Sequence, residues 1–182
     1  MMMSVSKVID AVSLAREPEH TSGMLSEVFA RVRDLRDFYP EFDKWLAERV
    51  VPGLKTGERS ILMEYRQGQL AALAILKDSD EEKKLCCLRV LPGFQDTGLG
   101  YRMFEKAFDQ LETRSPLLSV AEERLPVFKR IFDHFGFELA GTHHGLYREG
   151  RMEFAFNGAL MLPRHAVSNA NQRQRLSAVL TA

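Results

Sequence analysis

The 182-residue chain has two cysteines, and they are neighbours, Cys86 and Cys87. Adjacent cysteines close a badly strained ring and give no spaced pair of ligands, so neither a structural disulfide nor a cysteine-based metal site is expected. An excess of one charge is also missing. Lys plus Arg is 25 and Asp plus Glu is 25, so the formal net charge is zero. A whole-surface basic field for gripping nucleic acid or anionic lipid is therefore excluded, and only local patches remain. No apolar run approaches the ~18 residues of a membrane span, and no basic segment leads into an apolar one at the start, as a signal peptide would require. Repeats and low-complexity linkers are absent too. The expectation is a soluble cytoplasmic protein with no membrane contact.

What the chain does have is the balance of a globule, 45% apolar and 27% charged residues. That is enough for one core, expected over residues 1–160. Residues 161–182 read as a polar, mildly basic tail or short docking helix carrying Arg164, Arg173 and Arg175.

Periodicity supplies the elements. Val5 to Leu14 reads as a first strand, and Thr21 to Leu54 as two amphipathic helices separated at Pro40, the second ending near Pro52-Gly53. Ser60–Arg66 and Gln69–Lys77 then read as strands around the turn Gln67-Gly68. Leu85–Leu91 is a buried strand, Leu99–Leu111 a helix with one apolar face, and Leu117–Ala121 a further strand. Strand, helix and strand make a βαβ unit with two parallel strands. A helix from Pro126 to the cap Gly136 follows, and then strands over Phe137–Arg148 and Met152–Asn157. The fold class is mixed α/β.

The loop inside the βαβ unit carries the chemistry. Val90-Leu91-Pro92-Gly93-Phe94-Gln95-Asp96-Thr97-Gly98-Leu99-Gly100 joins a buried strand to a helix N-terminus. Free amides there carry partial positive charge, and Gly98 and Gly100 let an anion approach without a Cβ in the way. A phosphate or pyrophosphate is the natural ligand. A P-loop would need lysine after Gly98, where Leu99 stands. A dinucleotide fingerprint from Gly98 would need a small residue at Met103, although Glu122 lies at about the right distance for a ribose, so that alternative is weakened but open.

The run Val90-x-Pro92-x-x-Gln95-x-x-Gly98-x-Gly100, followed by Phe132-x-x-x-Gly136-Phe137, resembles the GNAT superfamily of N-acetyltransferases, and the order of elements from Val5 to Asn157 matches as well. The resemblance implies a central, mostly antiparallel sheet with one parallel, splayed βαβ pair and flanking helices. It implies acetyl-CoA as co-substrate, no metal, and direct transfer of the acetyl group to a small-molecule or protein amine. Leu88 and Val90 would pair with the pantetheine arm, the Val90 amide would face the thioester oxygen, and Gln95, Asp96, Thr97, Gly98, Leu99, Gly100 and Tyr101 would hold the pyrophosphate. Dimerisation is a habit of that family. Two positions depart from its pattern: Asp96 stands where a small residue is common, and Phe132 where many members have a proton-donating tyrosine. A catalytically weak acyl-CoA sensor on the same fold is therefore the alternative.

Transfer needs a base for the acceptor amine and an acid for the departing thiolate. Glu122 and Glu123 follow the strand beside the expected opening and are the first candidates for the base, against a reading as solvated loop acids. Glu64, on an early strand, is a second. Tyr147, on the penultimate strand, is the candidate donor. His143 and His144 should face opposite ways, as should Cys86 and Cys87, whose thiols read as small core groups. Phe38, Tyr39, Phe42 and Trp45 are either core or the wall of an acceptor pocket. Arg31, Arg33 and Arg36 are interleaved with Asp34 and Asp37 and read as a solvated face, with an acidic acceptor as the alternative.

Overall fold

A computed structural model describes residues 4–161, so the expected tail lies outside the described residues except for Met161. β1 (Ser4–Ile9) ends sooner than the sequence suggests, because Asp10 caps a new helix. Its carboxylate accepts from the Ser13 amide at 2.8 Å while Ser13 Oγ accepts from the Asp10 amide at 2.9 Å, a reciprocal capping box. α1 (Ala11–Arg16) and α2 (Pro18–Val32) follow, then a 3₁₀ turn over Arg33–Asp37. α3 (Phe42–Trp45) runs through a π turn at Leu46–Val50 into α4 (Val51–Thr56). This helix passes Pro52 and stops at Gly57, which has the left-handed φ of 82°. Proline lacks the N–H for an i−4 bond, and the wider turn just before it lets the chain continue where a regular helix would break.

β2 (Arg59–Arg66), β3 (Gln69–Asp78) and β4 (Lys83–Val90) complete an antiparallel sheet in the order β1-β2-β3-β4. Its side chains divide cleanly by alternation. Ala72, Ala74 and Leu76 of β3 meet Leu99, Met103, Phe104 and Ala107 of α5 (Leu99–Leu111). Leu73 and Ile75 face the other way, onto Val28, Val32, Phe42 and Val50 from the early helices. The sheet is thus covered on both faces, as the unbroken apolar run of β3 requires.

After α5 come β5 (Leu118–Ala121), α6 (Leu125–Phe135), β6 (Leu139–His144) and β7 (Met152–Phe156). These last three strands form a second antiparallel sheet, ordered β5-β7-β6. The expected single central sheet is therefore two. They meet at one parallel bridge, Lys84 with Leu117, where the Leu85 amide donates to the Leu117 carbonyl and the Leu117 amide to the Lys83 carbonyl, each at 2.9 Å. Beyond it, β4 pairs only with β3 and β5 only with β7. The chain crosses from one sheet to the other through α5. Close packing of α5 on α6 explains Gly100, since a Cβ there would come within 3.1 Å of Ile131 Cδ1.

Candidate functional site

Where β4 and β5 separate, each presents a strand edge without a partner strand among the described residues, and the loop 91–98 runs out from the end of β4 at this opening. Leu88 and Val90 pair with Ala74 and Ala72 of β3, and their side chains pack on the α5 side of the sheet. The loop is folded by its own side chains: Gln95 Nε2 donates to the Val90 carbonyl at 3.3 Å and Thr97 Oγ1 to the Phe94 carbonyl at 2.6 Å. Gln95, Asp96, Thr97 and Gly98 are all exposed.

The start of α5 is uncapped. Gly98 occupies the N-cap position at φ 75°, and no side chain accepts from the first turn. The first bond closing the helix runs from the Arg102 amide to the Gly98 carbonyl at 3.4 Å, so the amides of Leu99, Gly100 and Tyr101 precede the helical ladder. A Cβ on Gly98 would touch nothing within 4 Å, which leaves the approach to these amides open. Uncapped first-turn donors with clear space in front of them suit an anion with several oxygens. Gly100, by contrast, owes its missing Cβ to the packing on Ile131.

Glu122 and Glu123 lie in the turn after β5, where two arginines of the β6–β7 connection hold them. Arg148 grips Glu123 through both carboxylate oxygens, at 2.8 and 2.7 Å, and Arg151 reaches Glu122 at 3.4 Å and Glu123 at 3.6 Å. The hydrogen bonds from Arg148 keep the Glu123 carboxyl below the usual range. Such a carboxylate has little affinity for a further proton. Tyr147 sits in the β6–β7 connection, not on a strand as the sequence suggests, because β6 stops at His144 and the chain turns at Gly145 and Gly150.

The structure gathers a group that the sequence reading missed. Glu153 of β7 is 4% exposed, and Tyr39 donates to its Oε1 at 3.2 Å. The Tyr147 ring meets Tyr39 edge-on at 5.2 Å, and Ser119 of β5 lies close to both Glu153 and Tyr147. Burial pushes the Glu153 carboxyl upward, against the hydrogen bonds from Ser119 and Tyr39 and the charges of Lys84 and Arg148. Burial, then the Glu153 charge, raises the Tyr147 hydroxyl to about 12, and Tyr39 is raised further. This cluster lies on the face of the second sheet opposite α6, since Ser119 and Glu153 alternate with Val120 and Phe154. The visible sequence signal was an acid set among apolar neighbours in Met152–Phe156. Its neighbours Tyr39 and Tyr147 come from distant parts of the chain.

The other candidates separate just as clearly. Phe132 is a core side chain, 4.6 Å from Phe156 and stacked on Phe128 and Phe137. Glu64 is buried beside the middle of α5: Ser4 and Ser6 donate to it, and Lys106 pairs with it at 2.9 Å. Cys86 and Cys87 do not face opposite ways. A register shift in β4, where Ile75 pairs with Cys87 and Leu76 with Leu85, inserts an extra residue, and both thiols pack on the face covered by the early helices α2 to α4. Burial raises both, Cys87 to about 12, so neither is a ready nucleophile. Phe42 is core, Trp45 packs under Arg59, and Phe38 lies between Arg124 and Arg148. His143 is partly covered and His144 exposed. Among the described residues no group of three or more His, Cys, Asp or Glu is placed to hold a metal, and no helix is long and apolar enough to cross a membrane.

No family model and no curated protein matches the chain by sequence. Solved structures do match. A Desulfovibrio desulfuricans protein of the GNAT acetyltransferase family superposes with a TM-score of 0.59 at 16% identity, covering 86% of this chain and 97% of that one. The IAA acetyltransferase of Bacillus cereus gives 0.54 at 10% identity, covering 85% and 97%. Nourseothricin acetyltransferase gives 0.50 at 18% identity over 56% of this chain, and the match spans 65% of that protein's length. At these identities the likeness concerns architecture, and the architecture is the GNAT N-acetyltransferase fold.

Proposed function

We propose that the protein is an acetyl-CoA-dependent N-acetyltransferase working by direct transfer to an amine. The supporting observation is the uncapped N-terminus of α5, with free space at Gly98, set at the opening between β4 and β5. In this reading the amides of residues 95–101 hold the pyrophosphate of acetyl-CoA. The pantetheine arm lies along the β4 edge at Leu88 and Val90, and the Val90 amide donates to the thioester oxygen. Asp96 is exposed, at φ 59°, and in this reading its carboxylate lies away from the anion.

The acceptor enters on the helix side of the sheet, toward Tyr39 and Glu153. Its nitrogen attacks the thioester carbonyl, the C–N bond forms and the C–S bond breaks. One proton leaves the nitrogen and the CoA thiolate gains one. An alkylammonium of pKa about 10 must first be deprotonated, and Glu153, directly or through the Tyr39 hydroxyl, is the group best suited to take that proton. Burial gives it a higher proton affinity than an ordinary glutamate, whereas Glu123 has been lowered. Glu123 instead holds Arg148, and with it the β6–β7 connection that carries Tyr147.

The first test is binding. Saturating acetyl-CoA is expected to raise the melting temperature, because a ligand selective for the folded state stabilises it. Gly98→Asp should remove that rise. Aspartate tolerates the left-handed backbone at a cost of about 1 kcal/mol, but its carboxylate competes for the amides and repels the diphosphate. An unchanged melting temperature with wild-type protein would refute the reading. A rise without release of free thiol on any amine would instead select the sensor alternative.

A further inference from the structure

A second concave surface lies next to this opening. It is a shallow, open cleft of about 430 Å³ between the end of α2, the 3₁₀ turn and the end of β4, with Leu91 and Pro92 also lining it. Four arginines line it, Arg31, Arg33, Arg36 and Arg89, against two aspartates, Asp34 and Asp37. The charges are not matched pair by pair. Asp34 is engaged by Arg89 through both oxygens, at 2.5 and 2.6 Å, and its carboxyl is lowered accordingly. Arg36 reaches outward to Asp43 only at 3.8 Å, and its Nε donates to the Arg33 carbonyl at 2.8 Å. Arg31 and Arg33 have no carboxylate partner among the described residues. Asp37 also lines the cleft and makes no ion pair among the described residues, while its carbonyl accepts from Arg148 at 3.4 Å.

The cleft therefore holds an excess of two positive charges in a protein whose net charge is zero. A concave surface concentrates such a field in a way that scattered arginines on a convex face do not. Guanidinium groups also bind carboxylate and phosphate through paired hydrogen bonds. Its position gives the charge a use. Leu91 and Pro92 lead directly into the loop 93–98. At the other wall, the turn carrying Arg33 and Arg36 leads through Phe38 to Tyr39, whose hydroxyl touches Glu153. Asp37 of the cleft is thus two residues along the chain from Tyr39, which touches the buried acid.

We infer that this cleft takes an anionic group of the acceptor, so that the substrate is an amine carrying a carboxylate or phosphate. Its nitrogen lies toward Glu153 and its acid toward Arg31, Arg33 and Arg36. This rests on the acetyltransferase reading for the word acceptor, but the anion site itself does not. The Arg89–Asp34 pair ties the 3₁₀ turn to β4 and fixes the wall that presents the other arginines.

Titrating glutarate into protein with ¹⁵N-labelled arginine, with glutaramide as the uncharged control, tests the site without turnover. Saturable shifts of the Nε–H signals of Arg31, Arg33 and Arg36 with glutarate alone are expected, and an Arg31→Ala, Arg33→Ala double variant should lose them. Shifts that never saturate, or that spread over arginines elsewhere on the surface, would overturn the proposal. Turnover then assigns the anion: α-amino acids should be acetylated at least tenfold faster than the matching amino-acid amides, and the double variant should raise KM for the acids at least tenfold. If amides serve as well as acids, the inference fails and the acetyltransferase reading stands. If acetyl-CoA does not bind, that reading fails while the glutarate titration still decides the cleft. Should the double variant weaken acetyl-CoA but not 3′-dephospho-CoA, the anion in the cleft belongs to the cofactor and the inference is wrong.

Discussion

Glu153 is almost wholly buried, and burial raises its carboxyl above the ordinary glutamate value of 4.5. For a group raised in this way the sign of the linkage is fixed. The stability that goes with the neutral acid is fully present below 4.5 and is lost as pH climbs through the raised value. Glu153→Gln keeps the shape and removes that loss. The melting temperature of the variant should therefore gain on that of wild type as pH rises above 4.5, while acetyl transfer falls by roughly 10²–10⁴. The acid limb of the pH–rate profile should disappear with it. Full activity in the variant would remove Glu153 from the chemistry. The buried pair Glu64–Lys106 has the opposite sign. Burial pushes Glu64 up, but the hydrogen bonds from Ser4, Lys106 and Ser6 outweigh it and leave the carboxyl lowered, so its contribution is present above 4.5 and lost as pH falls through the lowered value. Lys106→Met should cost about 1–2 kcal/mol at neutral pH, because Lys106 is partly exposed and the pair is screened to that extent. Denaturant titration at pH 7 should show most of that cost, and at pH 3 less of it.

The elements differ in how much of themselves they announce. α5 spans Leu99–Leu111 as its apolar stripe predicts, because every core-facing position from Leu99 to Leu111 is filled. The helix after Phe42 runs past the proline that should end it, since tolerance of Pro52 depends on a π turn that no periodicity encodes. The alternation that placed Cys86 and Cys87 on opposite faces fails at a bulge, which is set by pairing with β3 and not by β4 alone. In the site, the glycine loop was legible because it is local in sequence, whereas Glu153, Tyr39 and Tyr147 meet only when residues 39, 147 and 153 converge. Phe132 shows the same dependence on packing. It stands in the motif where the resembled family often has a proton-donating tyrosine, and its ring joins α5, α6 and β7 in one aromatic cluster. Phe132→Ala should therefore cost about 3–5 kcal/mol of stability, measured by denaturant unfolding. A loss under 1 kcal/mol would mean that the ring is not the core contact described.

At the scale of the whole molecule, two antiparallel sheets are joined by α5 and touch at a single bridge, Lys84 with Leu117. That arrangement leaves two strand edges facing one opening, with a helix N-terminus at one side and a buried acid at the other. The present chain shares the GNAT fold of the solved structures without the sequence likeness that a family model would detect. The account rests on the opening being the binding site for CoA. The most direct measurement is a backbone amide NMR titration of the full chain with CoA. Saturable shifts at residues 95–101, together with Leu88 and Val90, are predicted. Saturable shifts confined to other surfaces, or none at millimolar CoA, would contradict the account.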